Sequence, residues 1–225
     1  MDAPHLDPER HVQALRALAR VNRISMVAVR VWRDVVQLSR ERRDGGRDQP
    51  VRLLDVGCGG GDVMVDVARR ARSAGIPLEV HGCDLSSVAL EHGRREAERW
   101  NVAADFLARD VVAEGLPGGY DLVCSSLFHH HLAHGEAVDL LRGMAAAGRW
   151  VLVQDLLRGP VGYVLAWSGL RLLSRSDVAH VDGPRSVCAA FTLLEVRDMA
   201  AEAGLLGAVI RRGWPERFVL RWRGP

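Results

Sequence analysis

Four glycines fall within the five positions 57–61, directly behind an apolar run, in Val51-Arg52-Leu53-Leu54-Asp55-Val56-Gly57-Cys58-Gly59-Gly60-Gly61-Asp62. The run is short enough for a buried strand, and an apolar, helix-compatible segment from Val63 to Ala74 follows at once. A strand, a tight glycine turn and a helix start must therefore succeed one another. Glycine lets the backbone take φ > 0 and approach a ligand closely, while the first N–H groups of a helix and its dipole favour an anionic or polar guest. Such a turn predicts a cofactor site.

Periodicity organises the rest of the chain around that unit. Residues 8–43 carry Val12, Leu15, Leu18, Val21, Val27, Val31 and Val35 at three- and four-residue steps, which predicts two helices. The charged, Gly- and Pro-bearing stretch from Arg42 to Pro50 marks a linker. Residues 1–47 are thus expected as an N-terminal helical cap and 48–225 as the core. Strands at 51–56, 78–83, 103–108, 120–125 and 150–155 alternate with helices at 62–73, 86–100 and 135–147, with Ser86 or Ser87 capping the second of these. Alternation of this kind predicts a parallel sheet with helices on both faces.

From Leu156 the alternation stops. Residues 160–173 are mostly apolar and 174–190 read as irregular, so a lid insertion is expected at about 157–190. Thr192-Leu193-Leu194-Glu195 is a capping box that opens a helix to about Ala203, closed by Gly204. Two β-like runs, 207–213 and 217–222, flank Trp214-Pro215-Glu216 and predict an antiparallel hairpin at the sheet edge.

A chain of 225 residues buries one substantial core, and 48% hydrophobic with 26% charged residues excludes a disordered or fibrous class. The net charge of +2 gives no global field toward nucleic acid, although all 30 basic residues are arginine. Cys58, Cys83, Cys124 and Cys188 lack C-x-x-C spacing and read as reduced packing residues. No apolar run reaches membrane-spanning length, and Met1–His5 lacks the charged and apolar regions of a signal peptide. A cytoplasmic protein without stable membrane insertion is expected.

A dinucleotide fold wants G-x-G-x-x-G, but counted from Gly57 the last position is Asp62, and the third glycine falls one place early at Gly61. Leu54-Asp55-Val56-Gly57-Cys58-Gly59-Gly60-Gly61 instead resembles the D-x-G-x-G-x-G motif of class I S-adenosylmethionine-dependent methyltransferases of the small-molecule type. Asp84 after the second strand resembles that family's ribose-binding carboxylate. Asp110 with Val111 resembles its adenine-binding pair, and Asp121-Leu122-Val123-Cys124-Ser125 its fourth motif. The likeness covers residues 51–155 and the closing order of one helix and two strands. It implies an α/β, Rossmann-like seven-stranded sheet, parallel except for a C-terminal antiparallel hairpin strand, with helices on both faces. It also implies S-adenosyl-L-methionine as cofactor, bound by Asp55, Gly57, Cys58, Gly59, Asp84, Leu85, Asp110, Val111 and Ser125.

Physical chemistry is consistent with those assignments. A carboxylate at Asp84 can accept hydrogen bonds from both ribose hydroxyls, against the plainer alternative of a solvated strand end. Asp55 either orients the glycine turn or faces the cationic end of the cofactor, and Asp110 either accepts from the adenine amino group or caps its own loop. Gly57 and Gly59 are expected to approach the ligand, Gly60 and Gly61 to serve the turn and the helix entry.

Ser125-Ser126-Leu127-Phe128-His129-His130-His131-Leu132 follows the fourth strand, and ligands of open α/β sheets sit beyond the carboxyl ends of the strands. His129 and His130 either supply a general base, since a neutral imidazole titrates near working pH, or only line the pocket. Consecutive histidines diverge and no carboxylate or thiolate has ligand spacing, so no metal is expected. Phe128, with Tyr163 and Trp167 of the lid, is expected to wall an acceptor pocket. Arg185 is expected to pair with an acidic acceptor or simply with Asp182.

The expected activity is methyl transfer to an apolar small molecule, aromatic or polyketide- or quinone-like, at oxygen. Carbon methylation of a quinone precursor and an idle cofactor-binding partner subunit are the alternatives. An RNA methyltransferase is disfavoured by the near-zero net charge. The expected assembly is a monomer or homodimer.

Overall fold

A computed structural model describes residues 7–46, 49–174 and 176–224. Met1–His5, and Arg47 and Asp48 at the expected boundary between cap and core, lie outside the described residues. The chain opens with helices α1 (Pro8–Ile24) and α2 (Val27–Asp44), as the three- and four-residue steps predict. Met26 between them takes a left-handed conformation, φ 53°.

Strands β1 (Val51–Val56), β2 (Leu78–Asp84), β3 (Asp105–Ala108), β4 (Tyr120–Ser126) and β5 (Gly148–Leu156) alternate with helices. These are α3 (Asp62–Ala74), α4 (Ser87–Arg99) and α5 (His134–Ala147). Ser86 caps α4 by accepting from the Ala89 N–H at 3.2 Å. Then come α6 (Pro160–Leu173), α7 (Asp177–Ala189), α8 (Leu193–Glu202), β6 (Val209–Gly213) and β7 (Arg217–Arg223). The seven strands form one sheet in the order β3-β2-β1-β4-β5-β7-β6. Only β7 runs antiparallel to its neighbours, inserted between β5 and β6. This is the Rossmann-like order expected, with the hairpin at the edge.

Period-two alternation divides the core into two layers. Leu54, Val123, Val151, Val153, Phe218 and Leu220 face α5 and α8. Leu53, Leu122, Leu152 and Val219 face the other way, onto Val31, Val35 and Leu38 of α2 and Val63 and Val67 of α3. Three ion pairs fasten α2 to the sheet: Arg42 to Asp121 at 2.6 Å, Arg221 to Asp34 at 3.0 Å and Arg223 to Glu41 at 3.8 Å. The capping box at Thr192 and Glu195 opens α8.

One element departs from expectation. Residues 177–189, read as irregular because of Asp182-Gly183-Pro184-Arg185, are helical as α7, with Pro184 buried inside the helix. Packing overrides the local breaker: a Cβ added to Gly183 would overlap Leu170 of α6. The glycine is what allows the two lid helices to approach. Among the described residues no helix is long and apolar enough to cross a membrane.

Candidate active site

The carboxyl ends of β3, β2, β1 and β4 lie side by side, which gathers the nine residues expected at a cofactor onto one edge of the sheet. Asp84 ties that edge together. One of its oxygens accepts from the Gly59 N–H and the other from the Ser86 N–H, each at 2.8 Å. Each oxygen keeps lone-pair capacity for a further donor. Leu85 beside it is exposed. On the β3 side, Oδ1 of Asp110 accepts from the Val112 and Ala113 N–H groups at 3.0 and 3.1 Å, so this carboxylate does cap its own loop. Val111 is buried in the core below.

The glycines divide their work differently from the expectation. Gly57, at φ 66°, sits under the Phe128 ring, whose Cγ would lie 2.5 Å from an added Cβ. It is therefore glycine because of Phe128 as well as its own backbone. Gly59, at φ 53°, has only Leu15 near its Cβ position, at 3.8 Å, and its N–H serves Asp84. A Cβ at Gly61, φ 70°, would strike Phe106, so that position serves helix entry and packing, as expected.

Negative charge collects here. Burial pushes the Asp55 carboxyl up to about 7, against the hydrogen bond from the Cys124 thiol, and Asp62 and Asp84 push the same way. Burial likewise raises Asp62, which is held by Asn22 of α1 at 3.1 Å. Three neighbouring carboxyl groups, a glycine turn and a ribose-type acceptor at Asp84 fit a nucleoside guest with a cationic end. Ser125, fully buried at the end of β4, has a hydroxyl with no hydrogen-bond partner among the described residues.

Beyond β4, residues 129–131 form a single 3-10 turn. His130 is gripped by Asp155 at the end of β5: Nδ1 lies 2.7 Å from Oδ1, and the His130 backbone N–H donates to Oδ2 at 3.1 Å. A carboxylate at Nδ1 assigns the proton there and leaves Nε2 as the basic nitrogen. Burial alone would raise Asp155, but His130 and the Leu156 N–H hold it down at about 2. His129 is different. It is buried, neither ring nitrogen has a partner among the described residues, and burial drives it down to about 4. His129 is a neutral imidazole near pH 7.

A cavity of about 470 Å³ opens beside this turn, between α1, α6, α7 and the β6–β7 connection. Its walls are mainly apolar, including Leu18, Val21, Leu165, Leu170 and Val187, and His130 and Arg217 face it among the polar residues. Arg185 also lines it, but Phe128, Tyr163 and Trp167 do not. Phe128 covers Gly57 instead, and Tyr163 and Trp167 lie on the outer side of α6, 42% and 48% exposed. Helical phase is the cause: Gly162, Leu165, Ala166, Gly169, Leu170 and Leu173 recur at three- and four-residue steps and form the inward stripe. A second cavity of about 340 Å³, between α1, α3 and α4, is lined by Gly60 and His92 but by none of His129, His130 and His131. Among the described residues no group of three His, Cys, Asp or Glu side chains could hold a metal ion.

Asp155 and Arg217 were not legible as site residues. A carboxylate ending the strand next to β4 was the available signal for Asp155. Arg217 carried none, being one of three arginines in β7.

Residues 53–149 match the model of a family described as methyltransferase domain. The ubiquinone biosynthesis O-methyltransferase of Bordetella parapertussis is 34% identical over 136 residues, 57% of this chain and 54% of that protein. A protein of the same description from Burkholderia ambifaria is 31% identical over 127 residues, 55% of this chain and 52% of its own. The chain thus spans about half the length of these curated relatives. Among solved structures, the plantazolicin methyltransferase BpumL in complex with a monoazolic desmethylPZN analog and S-adenosylhomocysteine superposes with a TM-score of 0.62 at 14% identity, covering 96% of this chain and 97% of that one. The magnesium protoporphyrin IX methyltransferase of Synechocystis PCC 6803, also with S-adenosylhomocysteine, gives 0.56 at 16% identity, covering 88% and 86%.

Proposed function

We propose that this chain, which carries a methyltransferase domain over residues 53–149, uses S-adenosyl-L-methionine to methylate a hydroxyl of an apolar small molecule. The observation that carries the reading is His130: held by Asp155 at 2.7 Å through Nδ1, it lines a mainly apolar cavity next to the carboxyl ends of the strands.

When bound, the cofactor supplies an activated methyl group on a sulfonium. The chain's own residues do the rest. Asp84 accepts from the ribose hydroxyls, Gly57, Cys58 and Gly59 form the cradle with Leu85, Val111 and Ser125 around it, and Asp110 stands by the base. Asp55 and Asp62 stabilise positive charge electrostatically. His130 Nε2 would take the proton of the acceptor hydroxyl, the group to which the bound cofactor would give up its methyl. Asp155 holds the imidazole in the required tautomer and stabilises the imidazolium. Holding the acceptor beside the cofactor would supply much of the acceleration, while α1, α6 and α7, which wall the cavity, would keep water out. His129, neutral and without a hydrogen-bond partner among the described residues, is buried next in sequence to His130.

Calorimetry of the folded protein with S-adenosylmethionine and its demethylated product tests the cofactor. Absence of binding by both would sink the reading. Incubation with methyl-labelled donor and an alkylated phenol, followed by mass spectrometry, tests the acceptor; label on carbon would replace hydroxyl methylation by carbon methylation.

A further inference from the structure

Arg217 is the anomaly of the cavity. Its residue exposure is 1%, and among the described residues its Nε and Nη1 have no hydrogen-bond partner. Buried charges are ordinarily paired, and a buried guanidinium with idle donors is a strong exception. The charged groups around it do not supply the missing partner. Asp155 is engaged by His130 and by the Leu156 N–H, and Asp62 by Asn22, while Arg30 adds repulsion and bonds instead to Ser25, Gln154 and Trp214. Asp182, Arg185 and Glu216 line the same cavity.

Arg217 reaches this position because β7 is inserted beside β5 and pairs Arg217 with Leu156, the residue after Asp155. His130 and Arg217 are therefore both lining residues of one mainly apolar chamber. A planar fork of N–H donors matches a carboxylate, whose two oxygens can accept two parallel bonds.

We propose that Arg217 is a carboxylate receptor, and that the acceptor is an apolar hydroxy acid whose carboxylate pairs with Arg217 while its hydroxyl meets His130. The proposal deepens the methyltransferase reading and rests on it for the hydroxyl. The carboxylate preference of the cavity stands on Arg217 alone. The other source of a carboxylate is the methionine end of the cofactor, and the test separates the two.

Calorimetry with 4-octylbenzoate and 4-octylbenzamide compares one apolar body with and without charge, so no turnover is needed. Wild-type protein should bind the acid at least about tenfold more tightly than the amide, roughly what one charge-assisted pair contributes. Arg217→Met should reduce that ratio to within about twofold, and Arg217→Lys should fall between. S-adenosylmethionine should bind wild type and Arg217→Met alike. Equal binding of acid and amide by wild type, or a ratio that survives in Arg217→Met, would overturn the proposal. A tenfold loss of S-adenosylmethionine affinity in Arg217→Met with the acid preference unchanged would also overturn it, by assigning Arg217 to the cofactor. An Arg217-dependent acid preference in a folded protein that binds no S-adenosylmethionine would support the receptor while rejecting the methyltransferase reading. Should Arg217→Met fail to fold, as judged by circular dichroism, Arg217→Gln takes its place.

Discussion

Asp155 holds His130 by two separate bonds, one to the ring at 2.7 Å and one to the backbone N–H at 3.1 Å. The second bond fixes where the 3-10 turn sits on β5, and the first fixes how the ring is turned. One carboxylate thus sets both the position and the tautomer of the imidazole.

Replacing His130 by Gln should lower kcat by about 10²–10³, the range of a lost general base, with S-adenosylmethionine affinity unchanged. Asp155→Asn should lower kcat and alter the acid limb of the pH–rate profile. Single-turnover rates across pH check this, and full activity in both variants would leave alignment alone as the source of the rate.

Asp84 bridges the glycine turn and the start of α4, so Asp84→Ala should weaken cofactor binding and also free the Gly59 N–H. Asp84→Asn keeps one acceptor oxygen and should retain part of the affinity. Calorimetry with the demethylated cofactor ranks the three proteins, and equal affinity throughout would reject the ribose role.

Gly57→Ala should destabilise the fold by about 1–2 kcal/mol from its left-handed backbone and by a further ~1–3 kcal/mol from overlap with Phe128. Adding Phe128→Ala should recover the overlap but not the backbone cost. Urea unfolding of both single variants and the double variant measures the coupling; strict additivity would show that the ring yields freely.

Asp55 and His129 oppose each other in pH dependence. Asp55, raised to about 7, contributes stability below the unfolded value of 3.8 that is lost as pH rises through 7. His129, lowered to about 4, contributes stability above 6.5 that is lost as pH falls through 4. Each amounts to a few kcal/mol at about 1.4 kcal/mol per unit, so the two largely cancel between pH 4 and 7 in the wild type. Asp55→Asn should expose a loss of stability toward acid, and His129→Leu a loss toward neutral pH. Urea midpoints at three pH values suffice to see it.

S-adenosylmethionine affinity should rise as pH increases toward 7 and then level, because a cationic guest favours ionised Asp55. The uncharged-sulfur product should show a shallower dependence. Identical pH profiles for the two would remove Asp55 from the electrostatics of the sulfonium.

Local signals carried the parts of the fold that depend on neighbours in sequence: the strand, glycine turn and helix at 51–74, the Ser86 cap and the Thr192 capping box. Residues 177–189 escaped because Gly183 and Pro184 read as breakers, whereas the contact with Leu170 that makes glycine useful is tertiary. Tyr163 and Trp167 illustrate another limit. In a helix apolar nearly all round, composition cannot say which stripe faces inward. The pairing of His130 with Asp155 depends on β4 lying next to β5, and the burial of Arg217 on β7 slipping between β5 and β6. Neither adjacency is written in a local pattern.

That strand insertion also bears on the order in which the molecule becomes complete. Ala14 of α1 and Arg217 of β7 line the same chamber, yet roughly two hundred residues of chain separate them, and contacts that distant are slow to form. The carboxyl ends of β1 to β4 all precede Leu127 in the chain. The glycine turn and its neighbouring strand ends are therefore synthesised long before Arg217, and the chamber is complete only when β7 docks beside β5.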